Sequence, residues 1–298
     1  MEKKLKQIDL YRNNLIIIDP DDPEMLGDVQ VSRVIMNEDG QEIERITYDI
    51  EGEAEERVLI VYKDGKPVEE ILEMAGEIAE RTTRSFDEQG RMSVEYRHYL
   101  DGEPDEIRYT YNDEGKLVLR QLTDSDGEEG EKQLWVYEQD KLVREESWNE
   151  YGDLEISKTF TYSEDGTPEE TVELSFLGGE ETRLVTLYDD EGVISTEKRY
   201  DARGRLVSRQ IITQGENGHT ARIEEETVAG KTITTLEYDD AGNNTVHEET
   251  AEDGTRLTRI ERQFNADGRL TGSEVWMENT LRRPGQHYQL RYEYTYFE

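Results

Sequence analysis

The residues in this sequence whose types could do chemistry are its carboxylates. Asp189-Asp190 and Asp239-Asp240 are adjacent pairs of the kind that divide acid and base duties between them, one kept protonated and the other ionised. Asp124-Ser-Asp-Gly-Glu-Glu-Gly-Glu131 has the composition of a cation loop, but it lacks the ligand ladder ending in a distal Glu that a Ca²⁺ hand requires. His98, His219, His247 and His287 are scattered, with no pair at metal-ligand spacing and no nucleophile beside them. The chain has no Cys, which removes thiolate metal sites, disulfides and a Cys nucleophile together. The expectation is a protein that is not an enzyme, with no metal and no organic cofactor.

Both carboxylate pairs stand inside a phrase with a mechanical meaning of its own. Tyr188-Asp-Asp-Glu-Gly192 is followed at once by Tyr200-Asp-Ala-Arg-Gly204 with Leu206, and the phrase recurs from Tyr48 to Gly52, Phe86 to Gly90, Tyr111 to Gly115 and Tyr162 to Gly166. It returns again from Tyr238 to Gly242 and Phe264 to Gly268, and in looser form from Met36 to Gly40 and Trp148 to Gly152. Asp or Asn opens a type I turn because its side chain accepts a backbone hydrogen bond from two residues on, and Gly follows the turn because it tolerates positive φ. That combination is the three-residue hairpin loop with a G1 bulge. The aromatic four residues before the Gly and the apolar residue two after it then clamp the strand ends from one face.

The elements that carry these turns follow from their rhythm. Turn glycines stand at 40, 52, 65, 76, 90, 102, 115, 127, 152, 166, 178, 192, 204, 218, 230, 242, 254 and 268, with Asp140 in the one vacant slot. The mean step is about 12.7 residues, one strand plus one turn of antiparallel structure, and two steps make a hairpin unit. The fold class predicted is all-β: a long antiparallel meander of about twenty strands, a curved or coiling repeat sheet. Residues 1-35 read as N-terminal cap strands, with an apolar run Leu15-Ile-Ile-Ile18 and a second strand from Val29 to Met36; residues 36-275 are the hairpin array. Residues 276-298 hold a closing strand in which Tyr288, Leu290, Tyr292, Tyr294 and Tyr296 alternate with Gln289, Arg291, Glu293 and Thr295. Glu69 to Glu80 has helix-forming composition, yet Gly76 keeps the repeat phase and favours strand, turn, strand.

Lys and Arg number 35 against 72 Asp and Glu, a net charge of -37, and only 33% of the residues are hydrophobic. The core must be thin. Such a charge repels nucleic acid and anionic membranes and favours cationic partners. No apolar run is long enough for a signal peptide or a membrane span, so the sequence as written reads as cytoplasmic, or as secreted or surface-exposed if a signal segment has been removed.

Tyr200-Asp-Ala-Arg-Gly-Arg-Leu206, Tyr238-Asp-Asp-Ala-Gly-Asn243 and Phe264-Asn-Ala-Asp-Gly-Arg-Leu270 resemble the tyrosine-aspartate (YD) repeats of the Rhs family, over roughly residues 36 to 275. The resemblance implies a coiling sheet of β-hairpins, which in large secreted Rhs proteins wraps around a toxin domain; this chain is too short to enclose one, is far more acidic, and has no C-terminal toxin. Tyr62-Lys-Asp-Gly65 and Tyr99-Leu-Asp-Gly102 are similar to the rhythm of MORN-like repeats, some of them antitoxins.

Arg282, Arg283, His287 and Arg291 form a local exception to the acidity. They read either as a charged edge that discourages strand addition or as a docking patch for an acidic partner or a second copy. The leading functional expectation is a non-enzymatic protein-binding scaffold, an acidic immunity or antitoxin-like inhibitor of a basic protein partner. The alternative is a surface or envelope repeat protein that binds carbohydrate or builds structure.

Overall fold

The computed structural model describes residues 3–15, 27–100, 102–279 and 284–298. In chain order its strands are β1 (Leu5–Asn14), β2 (Asp28–Met36), β3 (Glu42–Tyr48), β4 (Ala54–Lys63), β5 (Lys66–Met74), β6 (Glu77–Phe86), β7 (Met92–His98), β8 (Asp105–Tyr111), β9 (Leu117–Thr123), β10 (Glu129–Glu138) and β11 (Lys141–Trp148). They continue as β12 (Leu154–Tyr162), β13 (Pro168–Ser175), β14 (Thr182–Tyr188), β15 (Ile194–Tyr200), β16 (Leu206–Gln214), β17 (Thr220–Thr227), β18 (Gly230–Tyr238), β19 (Asn244–Ala251), β20 (Arg256–Phe264), β21 (Leu270–Met277) and β22 (Gln286–Tyr296). The only helical element among the described residues is one 3₁₀ turn at Leu177–Gly179.

The turn phrase folds as its residues dictate. The Asp201 amide donates to the carbonyl of Arg205 and the Gly204 amide to that of Asp201, while the Asp201 carboxylate accepts from the amides of Arg203 and Arg205. The same set recurs at Asn112, Asp189, Asp239 and Asn265. Every turn glycine of the predicted series has positive φ, and Asp140, the substitute, has φ 68°. The register then places the aromatic directly opposite the residue two after the Gly: Tyr111 faces Leu117, Tyr188 faces Ile194, Tyr200 faces Leu206 and Phe264 faces Leu270. Residues 69 to 80 are strand, turn, strand, with Ala75 and Gly76 both at positive φ in a two-residue hairpin.

The strands group into two compact units, Met1–Arg81 with Ile233–Glu298, and Thr82–Thr232. In the second, β7 to β17 pair antiparallel in succession. In the first, β19 to β22 do the same, and β22 then pairs with β1, from which β2 to β5 follow. All 22 strands belong to one sheet.

The seam corrects the expected curved or coiling meander. Because β1 pairs with β22, the sheet closes into a β-barrel. The tyrosine row of the tail finds a matching row: Tyr294 faces Ile8, Tyr292 faces Leu10, Leu290 faces Arg12 and Tyr288 faces Asn14. Pairing the first and last strands satisfies two rows of backbone donors and acceptors that an open sheet would leave exposed. The first strand also differs from its expected place: it starts in the charged stretch at Leu5 and ends at Asn14, whereas Ile16 to Ile18 of the apolar run lie outside the described residues.

Among the described residues only Ile107 and Val275 are buried apolar side chains, and six polar ones are as deep: Asp9, Thr82, Glu95, Thr186, Thr258 and Ser273. Leu206, expected to clamp its hairpin, is 48% exposed. It faces Tyr200, but the Tyr200 ring is covered instead by the Arg183 guanidinium, 4.3 Å from its centroid. The aromatics are thus half-buried rings lidded by cations rather than the contents of a core, as Arg91 on Tyr111 (4.4 Å) and Lys141 on Tyr162 (5.1 Å) repeat.

Candidate binding surface

The first member of each carboxylate pair is consumed by its turn. Asp189 accepts from the amides of Glu191 and Val193 at 3.0 and 2.9 Å, and Asp239 from those of Ala241 and Asn243, both at 2.9 Å. The Asn243 side-chain amide, with the backbone amides behind it, holds Asp239 below the usual carboxylate range, the opposite of what a general acid needs. Asp124 in the cation-like loop accepts from the amides of Asp126 and Glu128 in the same way. Among the described residues no cluster of His, Asp and Glu could hold a metal ion.

The histidines stay apart. His98 lies 3.3 Å from the Thr83 hydroxyl. His247 is held below the ordinary histidine value by burial and then by Arg262. His287 sits 2.7 Å from Glu274, and that hydrogen bond, followed by one from Gln289, keeps Glu274 below the usual carboxylate range.

Arg282 and Arg283 lie outside the described residues. The other two members of the predicted basic patch are brought to the barrel seam, and each meets a carboxylate. Arg291 donates to Asp28 at 2.7 Å, also engages Glu293, and stacks 4.3 Å over the Tyr11 ring. A shallow groove beside it is lined by Asn13, Asp28, Ser273, Glu274 and Leu290. His287 and Arg291 thus join β22 to its neighbours, and the seam offers no uncompensated cation at these two positions.

The same pairing holds along the strands. Asp9, buried, accepts from Arg33 at 2.7 Å and from the side-chain amides of Gln7 and Gln30. Arg57 bridges Glu44 and Glu73; Arg259 bridges Glu248 and Glu261; Glu95, buried, takes both Arg84 and Arg97. In the second unit Lys158 meets Glu173, and Glu224 is held by Arg222 and Lys231. Most of the cations are spent on strand-face carboxylates and on aromatic rings, and Arg91, Lys116 and Arg205 on carboxylates within the turns.

The turns carry the excess. Glu88, Asp113, Glu150, Glu164, Asp190, Glu191 and Glu216 are exposed at turn tips and make no ion pair among the described residues. Sequence reading found the charge total without its placement, because cross-strand pairing is invisible until the register is known. The arrangement is a sheet whose faces are close to electrically balanced and whose strand ends present bare carboxylates. Among the described residues no helix is long and apolar enough to cross a membrane.

No family model and no curated protein matches this sequence. Among solved structures the chain is similar to one in the crystal structure of TcdB2-TccC3-TEV (12% identity, TM-score 0.33, 83% of this chain and 15% of that one). It is also similar to a chain of the Photorhabdus luminescens Tc holotoxin pore (14%, TM-score 0.36, 87% and 16%). A third likeness is to a porin-like protein from Bacteroides uniformis (10%, TM-score 0.32, 99% and 98%). The chain therefore spans about 15% of the length of the toxin chains it matches. At these values the likenesses carry no functional argument.

Proposed function

We propose that this protein is a non-enzymatic scaffold of YD-type hairpins that binds a basic protein, acting as an immunity or antitoxin-like inhibitor. The observation that carries the reading is the separation of charge: most strand cations are already paired with a carboxylate or a ring, and the bare carboxylates stand at the turn tips. A surface of that kind raises the encounter rate of a cationic protein through its long-range field, and repels nucleic acid and anionic membranes. The YD assignment is supported by the recurrence of the Tyr-Asp-x-x-Gly turn in phase.

The test is a pulldown from the native host's extract, in low salt and again in about 0.5 M salt, where the Debye length is only a few ångström. The reading expects a stoichiometric basic protein that is retained at low salt and weakened at high salt. Retention of glycans with no basic protein would sink it in favour of a carbohydrate-binding envelope protein.

A further inference from the structure

In the second unit the exposed apolar side chains are not scattered. Consecutive antiparallel strands put alternate turns at opposite ends of the sheet. The turns leaving β7, β9, β11, β13, β15 and β17 share one end, and those leaving β8, β10, β12, β14 and β16 share the other. At the first end stand Tyr99 and Leu100, Tyr151, Leu177, Leu206 and Val228, exposed by 48, 76, 81, 56, 48 and 92%. At the other end the tips are Asp113 and Glu114, Asp140, Glu164 and Asp165, Asp190 and Glu191, and Glu216, with Val193 the one large apolar residue there, exposed by 37%. The turn residues themselves show the substitution: Tyr151 and Val228 occupy tip positions that other copies fill with Asp or Glu.

Scattered exposed apolar residues need no explanation, but six of this unit's eight gathered at one end do; Val193 and Ile211, each 37% exposed, are the exceptions, and the turn leaving β9, Asp124 to Glu128, is a gap in the row. Turns at one end are two strands apart, about 10 Å. The row is flanked by carboxylates, with Glu150 next to Tyr151 and Glu180 and Glu181 after the Leu177 turn. Those carboxylates oppose a second copy docking end to end and favour a cationic occupant. Every third residue of an extended polyproline II segment falls on one side at about 9 Å intervals, close to the spacing of the turns.

We infer that this end of the second unit is the docking edge for a cationic polypeptide in extended conformation, whose apolar side chains recur at every third position between Lys or Arg residues. The inference rests on the proposed binding of a basic partner and names the surface and the partner's pattern. Carboxylates at the opposite end steer the approach; the apolar tips hold the bound segment.

The experiment uses the full chain and two fluorescent peptides of 18 residues with equal charge, one repeating Lys-Lys-Leu and one with the same composition in separate Lys and Leu blocks. Association and dissociation rates are measured for the wild type, for L100S/Y151S/L177S/V228S, and for E164Q/D190N/E191Q/E216Q, with circular dichroism to show that all three are folded. The expected result is that the repeating peptide dissociates roughly tenfold more slowly than the block peptide. The apolar-tip variant should lose that difference with its association rate unchanged, and the neutralised variant should associate several-fold more slowly with its dissociation rate unchanged. Equal dissociation of the repeating peptide from wild type and the apolar-tip variant overturns the docking edge and leaves the basic-partner reading standing. No binding of either peptide at low salt overturns both. Concentration-dependent dimerisation of the wild type that the apolar-tip variant abolishes, seen by sedimentation, overturns the inference in favour of a second copy.

Discussion

The phenolic hydroxyl of Tyr111 donates to the backbone carbonyl of Met92 at 2.8 Å, tying the end of β8 to the start of β7. The same bond joins Tyr162 to Leu142 at 2.8 Å and Tyr294 to Leu270 at 2.6 Å. The aromatic slot of the repeat therefore does more than pack. At Tyr111 and Tyr162 the hydroxyl fastens the preceding strand by its backbone, and at Tyr188 it meets the Thr171 hydroxyl of the preceding strand at 3.1 Å. Tyr111→Phe and Tyr162→Phe should each cost about 1 kcal/mol, the net value of one partly buried hydrogen bond. Tyr200→Ala, which removes a half-buried ring lidded by Arg183, should cost about 1 to 2 kcal/mol, less than burial in a full core would give. Urea denaturation of the three variants checks both figures; equal stability of Tyr111→Phe and wild type would show the bond to be idle.

Ala75 is a non-glycine residue at φ 50° in the two-residue turn between β5 and β6. Left-handed backbone costs an ordinary L-residue about 1 kcal/mol that Asn or Gly largely avoids. Ala75→Asn should therefore raise stability by about that amount. Gly204→Ala should lower it by about 1 kcal/mol, since φ there is 72° and an added Cβ meets nothing within 4 Å, so strain alone decides the sign. Thermal melts of the two variants in opposite directions are the expected outcome.

Acid should act in two stages. Burial and then Arg262 depress His247, so its neutral form contributes stability above the ordinary histidine value, and that stability is lost as pH falls through the lowered one. Arg205 depresses Asp201, Asn243 depresses Asp239, and the Thr255 amide depresses Asp253. Their stabilisation is present above the ordinary carboxylate value and disappears as pH falls through their folded values, opening the turns. Measured at about 0.5 M salt, where self-repulsion of the -37 charge is screened, melting temperature should drop first below about pH 6.5 and again below about pH 4. In His247→Gln the first step should vanish while the second remains.

Closure of the sheet makes the tail structural. Removing residues 286–298 exposes one edge of β1 and one of β21, both otherwise paired to β22. Free edges recruit other strands, so the truncated chain should form oligomers in light scattering at concentrations where the whole chain does not.

Much of this was legible in the residues. Turn phase, strand number to within a few, and the β character of residues 69 to 80 follow from Gly spacing and Asx chemistry, which are local and leave a sequence trace. Closure was not legible, because the tyrosine alternation of β22 announces a strong strand without naming its partner, and β1 lies in a stretch whose charges masked it. Leu206 misled because pairing opposite Tyr200 does not guarantee cover. His287 and Arg291 looked like a cationic patch because Asp28 is distant in sequence and adjacent only across the seam, and Glu274 is brought beside His287 only by the β21–β22 register.

The central claim is that bare turn carboxylates recruit a cationic partner. The most direct measurement is the association rate constant of the basic protein recovered in the pulldown, followed by stopped flow from about 0.02 to 0.5 M salt. The account predicts a steep fall across that range, at least tenfold, and a shallower one for E164Q/D190N/E191Q/E216Q. A rate that is flat in salt, or the same in the neutralised variant, would contradict it.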